Sequence, residues 1–179
     1  MPCHPPSDDT AHNHHAREPD TFADVLQRLP ELGRVLYTGS AKHTRRLDET
    51  TGANRGVWAR KTWRALRCMN AYASAKAGTP PYAGALIDFC GDPDVSADLA
   101  MPVRQIAPRE SAHVNAKWEN ERVFPVPTRV RRRGAARMQA HIKIASRGVS
   151  PRIHYLDDTA NTGLIVVGWI GRHLTNTKT

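Results

Sequence analysis

Residues 137–173 read RMQAHIKIASRGVSPRIHYLDDTANTGLIVVGWIGRH, and this stretch decides the fold because it joins a regular hydrophobic period to clustered ionisable side chains. Over residues 138–144 apolar and polar residues alternate. Met138, Ala140, Ile142 and Ile144 point one way, while Arg137, Gln139, His141 and Lys143 point the other, the pattern of a half-buried strand. After a loop at 146–150, a second run sets Ile153 and Tyr155 against Arg152, His154 and Leu156. A third run, 164–170, is apolar on both faces and rich in β-branched residues, which predicts a central strand. The linker at 157–163 is dense in turn formers and makes the last two strands a hairpin; Asp157 and Asp158 cap it. With the apolar residues of the first two strands on one face, His141, Lys143, Arg152 and His154 fall together on the other. Arg172 and His173 follow the last strand.

Working back from the sheet, residues 122–127 (RVFPVP) suit an extended edge strand, since two prolines at alternate positions cannot donate to a ladder. Residues 128–133 (TRVRRR) read as a flexible basic linker into the sheet. Residues 57–77 form the strongest helical pattern, with Ala59, Trp63, Leu66, Met69 or Asn70, and Ala73 as a buried stripe and Arg60, Lys61, Arg64 and Arg67 outside. A first helix begins at Asp20 or Thr21 and buries Phe22, Val25, Leu26 and Leu29. A second helical pattern runs through Leu32, Val35, Leu36 and Leu47, weakened by Gly33 and Gly39. Residues 42–46 are basic and expected to be solvated. A short helix fits residues 82–90, another fits 110–121 through Val114 and Trp118, and residues 95–106 are poorly patterned. The expected class is α+β: N-terminal helices packed on a small C-terminal antiparallel β-sheet. Residues 1–19 form a disordered tail, 20–121 a mainly helical region and 122–179 the basic sheet.

The chain has 179 residues and a formal charge of +9. Residues 1–121 hold 15 Lys+Arg and 15 Asp+Glu, whereas 122–179 hold 11 and 2, so the excess lies wholly in the last third. Such asymmetry favours an anionic partner, of which nucleic acid is the commonest. No run approaches the roughly 18 apolar residues of a membrane span, and the N-terminus lacks the order of a signal peptide. No membrane partner and a cytoplasmic location are therefore expected. Cys3, Cys68 and Cys90 fit neither a disulfide framework nor a zinc site and read as plain thiols, the latter two buried. His4, His12, His14 and His15 sit in the tail, which offers no support for a fixed metal site. Phosphate-binding glycine loops, HExxH, CxxC and GxSxG are absent, and neither a cofactor nor a metal is expected.

The PRIHY segment at 151–155 and the LIVVGWIGRH segment at 164–173 resemble the RelE/ParE toxin superfamily. In that family a strand carrying an arginine and an aromatic is followed by an apolar strand ending in Gly-His or similar basic residues. The likeness covers about the last 40 residues. It implies a metal-independent endoribonuclease of the toxin–antitoxin kind, although no residue coincides with a defined catalytic position of the family. Such cleavage needs a base near the 2′-hydroxyl, cations on the phosphate and an acid for the leaving oxygen. His141 and His154 are the candidate base and acid, with His173 the alternative acid. Lys143, Arg152 and Arg172 are candidate phosphate clamps, and Arg131, Arg132 and Arg133 a nucleic-acid-binding tether. Two other readings use the same residues: nucleic-acid binding without catalysis, and a structural protein whose solvated basic sheet face meets water or an acidic protein partner.

Overall fold

The structure, a computed structural model, describes residues 17–110 and 118–175. The expectations for the histidine-bearing tail and for a helix through Val114 lie outside the described residues. Thr21 opens α1 (Phe22–Arg28) through a reciprocal capping box: its hydroxyl accepts from the Asp24 N–H while the Asp24 carboxylate accepts from the Thr21 N–H. The expected second helix resolves into two elements, a short strand β1 (Val35–Tyr37) and a helix α2 (Ala41–Thr50). Three residues are too few to display a strand period, and Val35 and Leu36 fit either template. The long helix α3 (Arg55–Lys76) buries the expected stripe and is followed by α4 (Leu86–Gly91).

Five more strands complete the chain before the last hairpin closes: β2 (Ile106–Ala107), β3 (Val123–Pro125), β4 (Ala135–Arg137), β5 (Ala140–Lys143) and β6 (Arg152–Asp158). A single helical turn, α5 (Thr159–Thr162), then leads into β7 (Leu164–Gly171). Gly163 takes the left-handed conformation at the end of α5, where a side chain would be strained. Asp157 and Asp158 hold the connection as expected: Asp158 accepts from Asn161, Thr162 and Arg131, and Asp157 accepts from Thr159 and from the Tyr72 hydroxyl.

The main sheet has the order β1-β7-β6-β5-β2. It is mixed rather than antiparallel, because β1 pairs parallel with β7 while the other neighbours run antiparallel. β1 comes from the N-terminal region, and the chain passes through α2, α3 and α4 and the intervening strands before β7 is laid parallel beside it. The β5–β6 register places His141 opposite His154, Ile142 opposite Ile153 and Lys143 opposite Arg152, the pairing that brings the polar residues onto one face. One residue of β7 has no partner in this ladder: His154 faces Trp169 and Tyr155 faces Val167, so Gly168 is a bulge.

Both faces of the sheet are covered. Ile142, Ile144, Ile153, Tyr155, Ile165, Val167 and Ile170 pack against the helices. On the other face Phe124, Val126, Val130, Ala136, Met138 and Val166 form a second core under the two-stranded ribbon β3–β4. Met138 therefore departs from the expected face of Ala140, Ile142 and Ile144, because the strand breaks between β4 and β5 and the alternation restarts. The 128–133 segment is likewise a structured turn rather than a flexible linker. Pro127 O accepts from the Val130 and Arg131 N–H groups, Val130 is buried, and Arg131 pairs with Asp158 at 2.9 Å. Among the described residues no helix is long and apolar enough to cross a membrane.

Gly168 permits the ribbon to approach β7, since a Cβ there would lie 2.6 Å from Phe124 Cβ and Cγ and 2.7 Å from Met138 Sδ. Gly168→Ala is expected to lower stability by about 1–3 kcal/mol, the usual cost of overpacking. Gly33→Ala, with nothing within 4 Å of its added Cβ, should stay within about 0.5 kcal/mol. Urea denaturation followed by tryptophan fluorescence compares the two; equal midpoints would remove the proposed role of Gly168.

Candidate functional site

Three of the sequence-identified residues meet where expected, but in a buried layer. His141 and His154 stack at 5.0 Å between ring centroids, and the second face that carries them is covered by the ribbon. His154 is 1 % exposed, His141 6 % and Arg152 7 %. The His154 ring also packs against Phe124 at 6.1 Å. Each histidine donates from Nδ1 to a backbone carbonyl, His154 to Met138 O and His141 to Gln139 O, both at 3.2 Å. A carbonyl only accepts, so these bonds place the proton of each neutral ring on Nδ1 and its lone pair on Nε2.

Arg122, a residue the sequence reading passed over, anchors the layer. It is fully buried, and its guanidinium donates to Glu110 Oε1 at 3.0 Å, to Trp118 O at 3.1 Å and to Thr175 O at 2.9 Å. Glu110 Oε1 also lies 3.7 Å from His141 Nδ1. Arg152 is turned to its own loop: one nitrogen donates to Ala145 O, Ser150 O and Pro151 O, while its buried Nε has no hydrogen-bond partner among the described residues. Arg152 thus braces the 145–151 loop instead of standing ready for a phosphate.

Burial governs the protonation of the cluster. It pushes His154 down to about 3, with further lowering from His141, Arg122 and His173. Burial also lowers His141, aided by Arg152 and Lys143 and opposed by Glu110, and it lowers His173, which Arg152 and Arg122 depress further. All three imidazoles are therefore neutral near pH 7. A neutral ring of such weak basicity serves poorly as the acid that cleavage requires.

Glu110, His141 and His154 each offer one donor atom within 4.8 Å of the others, the donor types that bind zinc in two-histidine, one-carboxylate sites. Charge weighs against that use. The single carboxylate already faces buried Arg122 and lies close enough to Arg152 to act on it, so the layer holds a positive excess before any cation arrives.

A different site lies at the exposed end of β7. Thr44 donates to Ile170 O at 2.8 Å and bonds the Tyr37 hydroxyl at 2.7 Å, which pins α2 across the strand. This sets His43 against Trp169, with ring centroids 5.1 Å apart. Trp169 is itself held by its indole N–H donating to Arg172 O at 3.0 Å. His43, Arg46, Leu47, Thr50, Trp169 and Arg172 line a pocket of about 390 Å³. Of these only Arg172 was singled out in the sequence as a ligand contact. The i, i+3, i+7 spacing of His43, Arg46 and Thr50 on one helix face was the available signal; their meeting with Trp169 depends on how the bulge turns β7 and how α2 crosses it, a long-range placement that the sequence does not announce.

The remaining sequence-identified residues do not join this pocket. Lys143 pairs in register with Arg152, and Arg132 and Arg133 stand exposed at the turn between β3 and β4. Comparison of the chain with protein-family models, curated proteins and solved structures finds no match.

Arg122→Ala should destabilise the protein by about 3–5 kcal/mol, the range for removing one partner of a buried ion pair, as measured by chemical denaturation. For His154 the sign follows from a folded value near 3 against 6.5 in the unfolded chain. Between these pH values the unfolded chain holds a proton that the native state does not. Its contribution is complete above pH 6.5 and is lost as pH falls toward 3, by roughly 5 kcal/mol. His154→Gln should flatten the stability profile between pH 7 and 4; an unaltered slope would assign the titration to other groups.

Proposed function

We propose that this protein binds single-stranded nucleic acid, RNA before DNA, at the pocket between α2 and the end of β7. One observation carries the reading: two rings and two guanidinium groups line this pocket without a carboxylate. Three other surface pockets each include acidic residues, among them Glu18. Base faces stack on aromatic side chains, and arginine forks match phosphate oxygens, so the combination suits an unpaired nucleotide. The basic last third of the chain supplies the attractive field, and the resemblance of that region to the RelE/ParE superfamily favours RNA.

RNA cleavage by His141, His154 and His173 is the narrower reading, supported by the stacking of the first two rings. Their burial beneath β3–β4 sets its condition: the ribbon would have to lift before a 2′-hydroxyl reached either ring. Binding therefore precedes catalysis as the proposed activity.

Fluorescence anisotropy with a labelled single-stranded RNA tests this reading. Trp169→Ala should weaken binding about 10- to 100-fold, the effect of losing one stacking platform. Arg46→Ala and Arg172→Ala should each reduce the slope of log affinity against log salt by about 0.7. Wild-type affinity and slope in all three variants would move the interface elsewhere. Incubating the same RNA in chelator reads cleavage directly, through the appearance of 2′,3′-cyclic phosphate ends.

A further inference from the structure

Cys68 lies in the middle of α3 on its buried side, and Cys90 lies in α4, half-buried. Their Sγ atoms are 3.3 Å apart, closer than the usual 3.5–4.0 Å or so of packed heavy atoms, and neither is in a disulfide. A disulfide needs about 2.05 Å, so a small approach of α4 toward α3 suffices. The flanking segments can supply it, since residues 77–81 and 96–99 are exposed. The same helices already meet through an aromatic cluster in which Tyr72, Tyr82 and Phe89 pack edge to face.

We propose that Cys68 and Cys90 are a redox modification site, a dithiol that a peroxide closes to an intramolecular disulfide stapling α4 onto α3. Cys90 is the attacking residue, because it retains solvent access while Cys68 is buried. Sharing of one proton between the two sulfurs also favours the Cys90 thiolate and raises the Cys68 thiol in return. The Cys90 sulfur attacks a peroxide oxygen; the O–O bond breaks, and a sulfenic acid forms as hydroxide leaves and is protonated to water. The Cys68 sulfur then attacks the sulfenic sulfur, the S–O bond breaks, and a second water carries off the Cys68 proton. Two thiols lose two electrons and two protons, and one peroxide becomes two waters. The staple acts beyond the two helices, because Tyr72 donates to Asp157 at 2.8 Å and so links this cluster to the β6–β7 connection.

The test uses the full chain carrying Cys3→Ser, oxidised with a slight excess of hydrogen peroxide, alkylated under denaturing conditions and weighed intact. The expected result is a mass lower by two hydrogens with no alkylation, a Cys68–Cys90 linked peptide, and recovery of both thiols with dithiothreitol. Closing a loop of this length should raise Tm by about 5–10 °C. With Cys68→Ser, Cys90 should accumulate as a sulfenic acid trapped by dimedone; with Cys90→Ser, Cys68 should resist both peroxide and alkylation in the native protein. Two alkylatable thiols after oxidation, a Cys90 sulfinic acid with Cys68 unchanged, or only intermolecular disulfides would each overturn the proposal. Oxidation of the intact Cys68 and Cys90 pair is decisive even if a serine variant at either position fails to fold.

Discussion

The buried guanidinium of Arg122 is the constraint on which the second face of the sheet depends. Removing such a charge from water costs several kcal/mol unless its donors are satisfied, and here they are met from Glu110, Trp118 and Thr175. These acceptors lie before β3, beside it and beyond β7. A single side chain thus draws three separated segments over the sheet and closes the space that would otherwise be a solvated polar face. The neutrality of His141 and His154 follows from this closure, because burial disfavours the imidazolium and the neighbouring positive charges lower both rings further.

Much of the scaffold was legible because its signals were local. The alternation through Ala140, Ile142 and Ile144, the turn chemistry of Asp157 to Gly163 and the stripe on α3 each declare an element within a few residues. The β5–β6 pairing that places His141 opposite His154 followed from keeping apolar residues on one side. Elements that depend on distant partners were not legible. β1 and β2 have three and two residues, too short for a period, and acquire strand character only by pairing with β7 and β5. Met138 changed faces because the strand breaks beside it, which no alternation could announce.

The site shows the same division. Sequence reasoning grouped His141, Arg152 and His154 correctly on one face but took that face to be open, since the covering ribbon had been read as an edge strand and a linker. Arg122 was read only as the first residue of an extended edge strand, and only its depth sets it apart. Conversely, His43 and Arg46 looked like an ordinary solvated helix face. They become candidates through Trp169, which belongs to another element more than a hundred residues away. Basic residues are informative here through what stands next to them, more than through their number.

The bulge at Gly168 reverses the phase of β7 for its remaining length. Val167 and Ile170 both face the helices, three positions apart instead of an even number, and Trp169 consequently shares the second face with Val166. Had the strand run in regular register, the indole would have turned into the helical core. The outer pocket would then have kept its arginines and lost the flat surface beside them. One inserted residue thus separates a surface that attracts any polyanion from one able to distinguish an unpaired base from a bare phosphate, and it makes the recognition chemistry of this chain a matter of strand phase.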